Sequence, residues 1–252
     1  MSTGISLSVS PKVSIMGRPS NPFEAEGVVY DGTNDYATLS PGLSGATNTK
    51  ELTISAWVRF NGGDGATQDI FRLGIDDVRV ARSSTNKLYF RINDSLDAAI
   101  QIAISNGTVT ADGEWHHILF AVNTASPVYY LYINRSLDKT GVTPTLDALI
   151  DWASVDDDGI IGASPAAAFK LNASLSELYV HNEFIDPTVE ANLRKFISAD
   201  GKPVSLGSNG SSPTGTQPLV YAPDGDPSNN LGTAGDYTIT GSLAPAPDSP
   251  SD

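Results

Sequence analysis

GEWHHILFAVNTASPVYYLYINRSLDKT, residues 113–140, is the stretch whose reading decides the fold. Ile118, Phe120 and Val122 fall on one face of an alternating run. Tyr129, Leu131 and Ile133 do the same after a break at Ser126-Pro127. A period of two marks a strand with one face buried, and proline fixes φ and cannot continue a paired strand. The segment therefore reads as two antiparallel strands and a turn.

Working outward, Leu52 to Phe60 (LTISAWVRF) places Leu52, Ile54, Ala56, Val58 and Phe60 on one face. Thr53, Ser55, Trp57 and Arg59 fall on the other. The glycine-rich turn NGGDG at 61–65 ends it. Shorter strands are expected at 69–73, 77–82, 87–92 and 98–104, and two more at 160–162 and 173–181. VVYDGTNDYATL at 28–39 reads as strand, tight turn, strand, because Asp-Gly and Asn-Asp tolerate left-handed backbone. Short strands with regular turns predict an all-β, two-sheet antiparallel sandwich of the jelly-roll kind. One helix is expected. Asp186 would be its N-cap and Pro187 its first residue, with Val189, Leu193, Phe196 and Ile197 as an apolar stripe.

This divides the 252 residues into three parts. Residues 1–26, with Pro11, Pro19 and Pro22, read as an extended arm, and 27–198 hold the sandwich. Residues 199–252 are rich in Gly, Pro, Ser and Asp, with short strands at 218–221 and 236–243. Such a tail has little apolar surface to offset backbone entropy and is expected to be marginal without a partner.

Bulk properties exclude several classes. A net charge of −14 opposes binding to phosphate backbones; no nucleic acid is expected, and the surface should be soluble and self-repelling. There is no cysteine, so disulfides and thiolate chemistry are out. No secretory signal and no membrane-length apolar run is visible.

Four stretches together resemble the laminin-G-like, concanavalin A-like lectin-fold domains. They are 28–39, 52–60, 113–123 with 129–138, and IIGASPAAAFKLNASLSELYVHNEFIDPTVEANL at 160–193. The resemblance covers roughly residues 27–197. It implies two stacked sheets of about twelve to fourteen strands and a non-enzymatic recognition or structural role. The segments GKPVSLGSNGSSPTGTQPLVYAP and NNLGTAGDYTITGSL resemble the ends of laminin-G-like proteins carried in tailed-bacteriophage particles. That resemblance implies a virion structural protein (capsid decoration, tail or fibre) with assembly contacts through 1–26 and 199–252. The alternative is a stand-alone carbohydrate-binding or adhesion module for host-surface glycans.

Candidate chemistry is sparse. Glycosidases on this sandwich need two carboxylates about 5–9.5 Å apart. Glu177 and Glu183 would lie roughly 20 Å apart on an extended strand, so no enzyme is expected. His116 and His117 point to opposite faces and cannot share a ligand. His116, on the face of Ile118 and Phe120, is expected to be the buried one, and the resemblance carries a Trp-x-His at Trp115–His117. No cofactor is required, but calcium takes loop oxygens, and relatives bind it at the sheet rim. Asp156, Asp157 and Asp158 are the expected donors, with Asp76 and Asp77 as others. For sugar binding the candidates are Trp57, Arg59, Tyr130 and Tyr132, against the ordinary reading that these rings pack under the helix, the arm or a neighbour.

Overall fold

The computed structural model describes residues 23–43, 45–138, 143–153 and 158–252. In chain order its elements begin with β1 (Val28–Asp31), β2 (Tyr36–Leu39), β3 (Glu51–Phe60), β4 (Gln68–Leu73) and β5 (Val78–Arg82). There follow β6 (Leu88–Asn93), β7 (Ala99–Ile104), β8 (His116–Asn123), β9 (Val128–Ile133) and β10 (Ser136–Leu137). The last are β11 (Gly159–Ile161), β12 (Asn172–His181), α1 (Glu190–Leu193), β13 (Val220–Ala222), β14 (Thr238–Thr240) and β15 (Ala244–Pro245). The fold is all-β: an eight-stranded sheet runs β10-β9-β8-β3-β12-β1-β15 with β13 also paired to β12, and a seven-stranded sheet runs β14-β2-β11-β4-β5-β6-β7.

The hairpin at the centre has the register its alternation predicts. Ile118 lies opposite Ile133, Phe120 opposite Leu131 and Val122 opposite Tyr129. The inner face of β3 joins these residues in the main core, and Phe71, Val80 and Phe90 meet them from the other sheet. The Phe90 and Phe120 rings stack at 4.4 Å. Face-to-face burial of two alternating sheets is what makes this a sandwich.

The outer face of the eight-stranded sheet is not a solvent face. Trp57, Leu119, Tyr132, Tyr179 and Tyr221 form a second core with Ile185, Leu193, Phe196, Ile197 and Leu206. The helix that closes it is one turn, shorter than the stripe predicts. Asp186 accepts the Thr188 N–H at 2.9 Å but does not cap α1, whose N-cap is Val189. Val189 is exposed; Leu193, Phe196 and Ile197 are buried.

Residues 199–252 are woven into both sheets. β13 continues along β12 where β1 leaves off, β14 pairs β2, and β15 pairs β1. β12 changes partner at a bulge between Ser176 and Tyr179, where one extra residue bends the strand. The extra residue, Glu177, has φ +49°. The last residues of the tail are laced to those preceding β1: Ala25 N–H donates to Ser251 Oγ at 2.9 Å and Ala246 N–H to Gly27 O at 2.7 Å. Of the expected arm, residues 1–22 lie outside the described residues.

One glycine marks how closely the tail approaches. Gly225 has φ +79°, and a Cβ there would sit 2.1 Å from the Leu175 carbonyl oxygen. Its own carbonyl accepts the Tyr30 hydroxyl at 3.1 Å. Gly225→Ala is expected to destabilise the fold by about 2 kcal/mol or more. Urea denaturation checks this, and an unchanged midpoint would show that the tail is not seated this tightly.

Candidate functional site

The outer face of the seven-stranded sheet carries the most organised set of polar and aromatic side chains left uncovered by the tail. Arg72 on β4 lies directly opposite Arg79 on β5, and Arg79 opposite Arg91 on β6. Each arginine sits between two apolar residues (Phe71-Arg72-Leu73, Val78-Arg79-Val80, Phe90-Arg91-Ile92), so strand alternation turns all three outward. Adjacent like charges repel. Two aspartates hold the row together.

Asp69, fully buried, accepts Arg72 Nη1 at 2.8 Å on one oxygen and Arg79 Nη2 at 2.8 Å on the other. Asp76, in the turn between β4 and β5, accepts Arg72 Nη2 at 3.1 Å and Arg91 Nη1 at 3.0 Å. It meets Arg79 only at 3.5 Å. Three guanidinium groups thus share two carboxylates.

Beside this row the side chains step down. Ala81, opposite Tyr89 on β6, leaves a surface hollow of about 290 Å³ lined by Thr67, Arg79, Ala81, Ser83, Tyr89 and Phe169. Phe169 forms the far wall. The loop before it is tied by Ala167 N–H to Ser164 O at 2.8 Å and Ser164 N–H to Ala168 O at 2.8 Å. Asp69 N–H donates to Phe169 O at 2.9 Å, which pins the loop to β4. Phe169 has φ +51°, costly for a side chain with a Cβ, and is 47% exposed. The Arg79 guanidinium carbon lies 5.5 Å from the Tyr89 ring centre and 5.6 Å from that of Phe169, within cation–π range of both. Lys170 stands 3.5 Å from the Tyr36 ring centre.

The residues singled out by sequence lie elsewhere. Trp57 is 3% exposed and Tyr132 9%, both inside the second core. Arg59 pairs with Asp248, to which Trp115 Nε1 also donates at 2.9 Å. Tyr130 is half-buried and stacks on Phe184. Those rings pack because the helix and tail cover that face.

Of the acidic loop, Asp156 and Asp157 lie outside the described residues, and the Asp158 carbonyl accepts Gly74 N–H at 3.1 Å. Asp76 is committed to arginines, and Asp77 bonds through its backbone to Leu73 and Asn93. Among the described residues no group of three or more His, Asp or Glu is placed to hold a metal ion.

The histidine doublet is corrected in one respect. His117, not His116, is the buried one, because its face lies under the second core. His117 Nε2 meets Ser55 Oγ at 2.9 Å, and burial pushes its pKa down to about 3, so it is neutral. His116 sits at the rim with Asp112 at 3.1 Å. His181 is buried and hydrogen-bonds Thr216 and Asn182.

A larger hollow of about 740 Å³ lies where residues 24–28 meet residues 243–252. Glu24, Glu26, Asp224, Asp226, Asp248 and Asp252 line it, with no aromatic ring. Burial and neighbouring carboxylates raise the Asp224 pKa. It offers a sugar no stacking surface.

A family model described as the concanavalin A-like lectin/glucanases superfamily matches residues 31–188. The chain belongs to that superfamily. No curated protein matches it in sequence. Among solved structures, a putative carbohydrate binding protein from Bacteroides ovatus superposes with TM-score 0.61 at 12% identity. The match covers 89% of this chain and 60% of that one. A heptameric SAP-like pentraxin from Limulus polyphemus gives 0.54 at 12% identity, covering 88% and 94%. The NanB sialidase from Streptococcus pneumoniae gives 0.50 at 13%, covering 68% of this chain and 28% of its own. At these identities the likeness is one of fold. The lectin-like sandwich expected from sequence is therefore shown, with fifteen described strands against the expected twelve to fourteen.

Proposed function

We propose that this superfamily member is a non-enzymatic carbohydrate-recognition module, and that its site is the hollow between Tyr89 and Phe169. The observation that carries this is Phe169 itself, half-exposed and held at positive φ across a small Ala81 floor from a second ring. Sugar rings bind through C–H faces on aromatic walls and hydroxyls on a few fixed polar groups. Here Thr67 and Ser83 supply hydroxyls at one end and Arg79 a guanidinium at the other. The catalytic reading is disfavoured by Glu177, which is sealed beneath the tail against Tyr221.

Tyr89→Ala and Phe169→Ala are each expected to weaken glycan binding at least about tenfold, roughly 1.4 kcal/mol, with the melting temperature little changed. Titration calorimetry on a glycan selected from an array checks this. Wild-type affinity in both variants would move the site elsewhere, and loss on Trp57→Ala alone would return it to the covered sheet. Binding is expected to survive chelation, since the hollow is flanked by cations that repel calcium. Loss in EDTA would instead direct attention to Asp156, Asp157 and Asp158.

The likeness of residues 201–243 to the ends of phage laminin-G-like proteins supports placing the module in a virion, as a decoration, tail or fibre component. Since residues 199–252 satisfy their strands within this chain, assembly contacts would fall mainly to residues 1–26. A full-length monomer with no particle association would remove the virion role and leave the glycan site standing.

A further inference from the structure

The charge of the ligand follows from the row beside the hollow. The chain carries 29 acidic and 15 basic residues, so its overall field repels anions. On this one face the balance reverses. Among the described residues, the carboxylates that Arg72, Arg79 and Arg91 meet are Asp69 and Asp76. Asp69 is fully buried, accepting Arg72 on one oxygen and both Nε and Nη2 of Arg79 on the other, and among the described residues the third cation, Arg91, has Asp76 as its acidic partner.

Every guanidinium of the row has a carboxylate partner, yet three positive charges face two negative ones, and a surplus charge is costly in a partly buried site. Here the imbalance is kept where it reaches the surface. Arg72 is sealed, with Nε on the Ile75 carbonyl. Arg79 gives Nε and Nη2 to one Asp69 oxygen at 2.9 and 2.8 Å, while its Nη1 stands 3.5 Å from Asp76. Arg91, with a 28% exposed side chain, is held by Asn93 at Nε and Asp76 at Nη1, its fork standing beside the Arg79 row. Lys170 follows Phe169 in sequence, with its amine over the Tyr36 ring.

Building on the reading of this hollow as a sugar site, we propose that its ligand is an anionic saccharide, one bearing a carboxylate or sulfate. Tyr89 and Phe169 receive the ring, and Arg79 with Arg91 receives the anionic group. Among the described residues the strong bonds of the row use Arg79 Nε and Nη2 and Arg91 Nε and Nη1, which leaves Arg79 Nη1 and Arg91 Nη2 to make charge-assisted bonds to an anionic group. The aromatic walls exclude water from one side of Arg79 and strengthen its attraction for an anion.

The test uses the full chain and matched probes: uronate oligosaccharides with their carboxyl-reduced counterparts, and sulfated oligosaccharides with desulfated ones. The acidic member of at least one pair is expected to bind about tenfold or more tighter than its neutral partner. Arg91→Gln should erase most of that preference without moving the melting temperature. Arg91→Lys, which keeps the charge beside Asp76, should retain part of it and guards against a folding artefact.

Equal binding of acidic and neutral members, lost together in Tyr89→Ala, would overturn the anionic assignment and leave the sugar site intact. An acidic preference untouched by both Arg91 variants would also overturn it. No binding by any member, charged or neutral, would overturn the sugar reading and this inference with it. Carboxylated and sulfated pairs answering differently would identify the source of the charge.

Discussion

A chain ending at Ser198 is expected not to form a stable sandwich. The cut removes Leu206, Leu219, Val220, Tyr221, Ala222, Ala234 and Tyr237, all buried. It also uncovers what they sit against: the outer face of the eight-stranded sheet with Trp57 and Tyr179, and Tyr30, whose hydroxyl loses the Gly225 carbonyl. Exposing a large apolar side chain costs about 1.5–3 kcal/mol. Several such losses together match the whole stability of an ordinary domain, about 5–15 kcal/mol. Three strand pairings disappear as well, leaving bare edges on β1, β2 and half of β12. Expression of residues 1–198 beside the full chain, followed by near-ultraviolet circular dichroism and thermal melting, checks this. Insoluble or non-cooperative protein is the expected outcome. A sharp melt from the shortened chain would mean that the tail is an appendage.

This difference shows where sequence reading reaches and where it stops. The hairpin of β8 and β9, the inner face of β3 and the two-sheet class are all legible, because each rests on alternation enforced by a buried face. The tail escapes because it packs by another chemistry. Asn230 serves as an internal splint: its Oδ1 accepts Tyr221 N–H at 2.8 Å and its Nδ2 donates to Gly235 O at 2.9 Å. Ser, Asn, Gly and Asp placed for such bonds look like linker composition. The same cover explains why Thr53, Ser55 and Trp57, correctly assigned to the outer face of β3, are nonetheless buried.

The arginine row left a usable signal in the apolar-Arg-apolar triplets at 71–73, 78–80 and 90–92. What the sequence lacks is register. Only pairing of Arg72 with Arg79 and of Arg79 with Arg91 brings the three together. Phe169 carries no signal at all, since Ser-Pro-Ala-Ala-Ala-Phe at 164–169 does not announce that its last ring stands exposed.

Glu177→Gln is expected to stabilise the protein at neutral and alkaline pH and to do nearly nothing near pH 4. Glu177 is the extra residue of the β12 bulge, 3% exposed. One carboxyl oxygen accepts the Tyr221 hydroxyl at 3.1 Å, while the other, buried, has no hydrogen-bond partner. Burial raises its pKa from the ordinary 4.5 to about 8; the Tyr221 bond offsets part of that rise, and the charge of Asp224 adds to it. The folded chain therefore holds a proton that the unfolded chain has released. Between pH 4.5 and about 8 stability falls as pH rises, by about 1.4 kcal/mol per unit from this group. Below that window both states are protonated and the cost is absent; above it the cost is complete, on the order of 5 kcal/mol. Glutamine is neutral throughout and keeps an acceptor for Tyr221, so the variant should lose this slope. Urea unfolding of both proteins at pH 5, 7 and 9 gives the comparison directly. Curves that converge at the acid end and separate by several kcal/mol at the alkaline end are expected. Parallel curves would mean that Glu177 is ionised and solvated in the native protein, and that β13 does not seal the bulge. Since β13 is held against β12 beside this carboxyl, the same titration should loosen the tail first. Limited proteolysis near residues 214–226 should then rise between pH 7 and 9 in the wild type and stay flat in the glutamine variant.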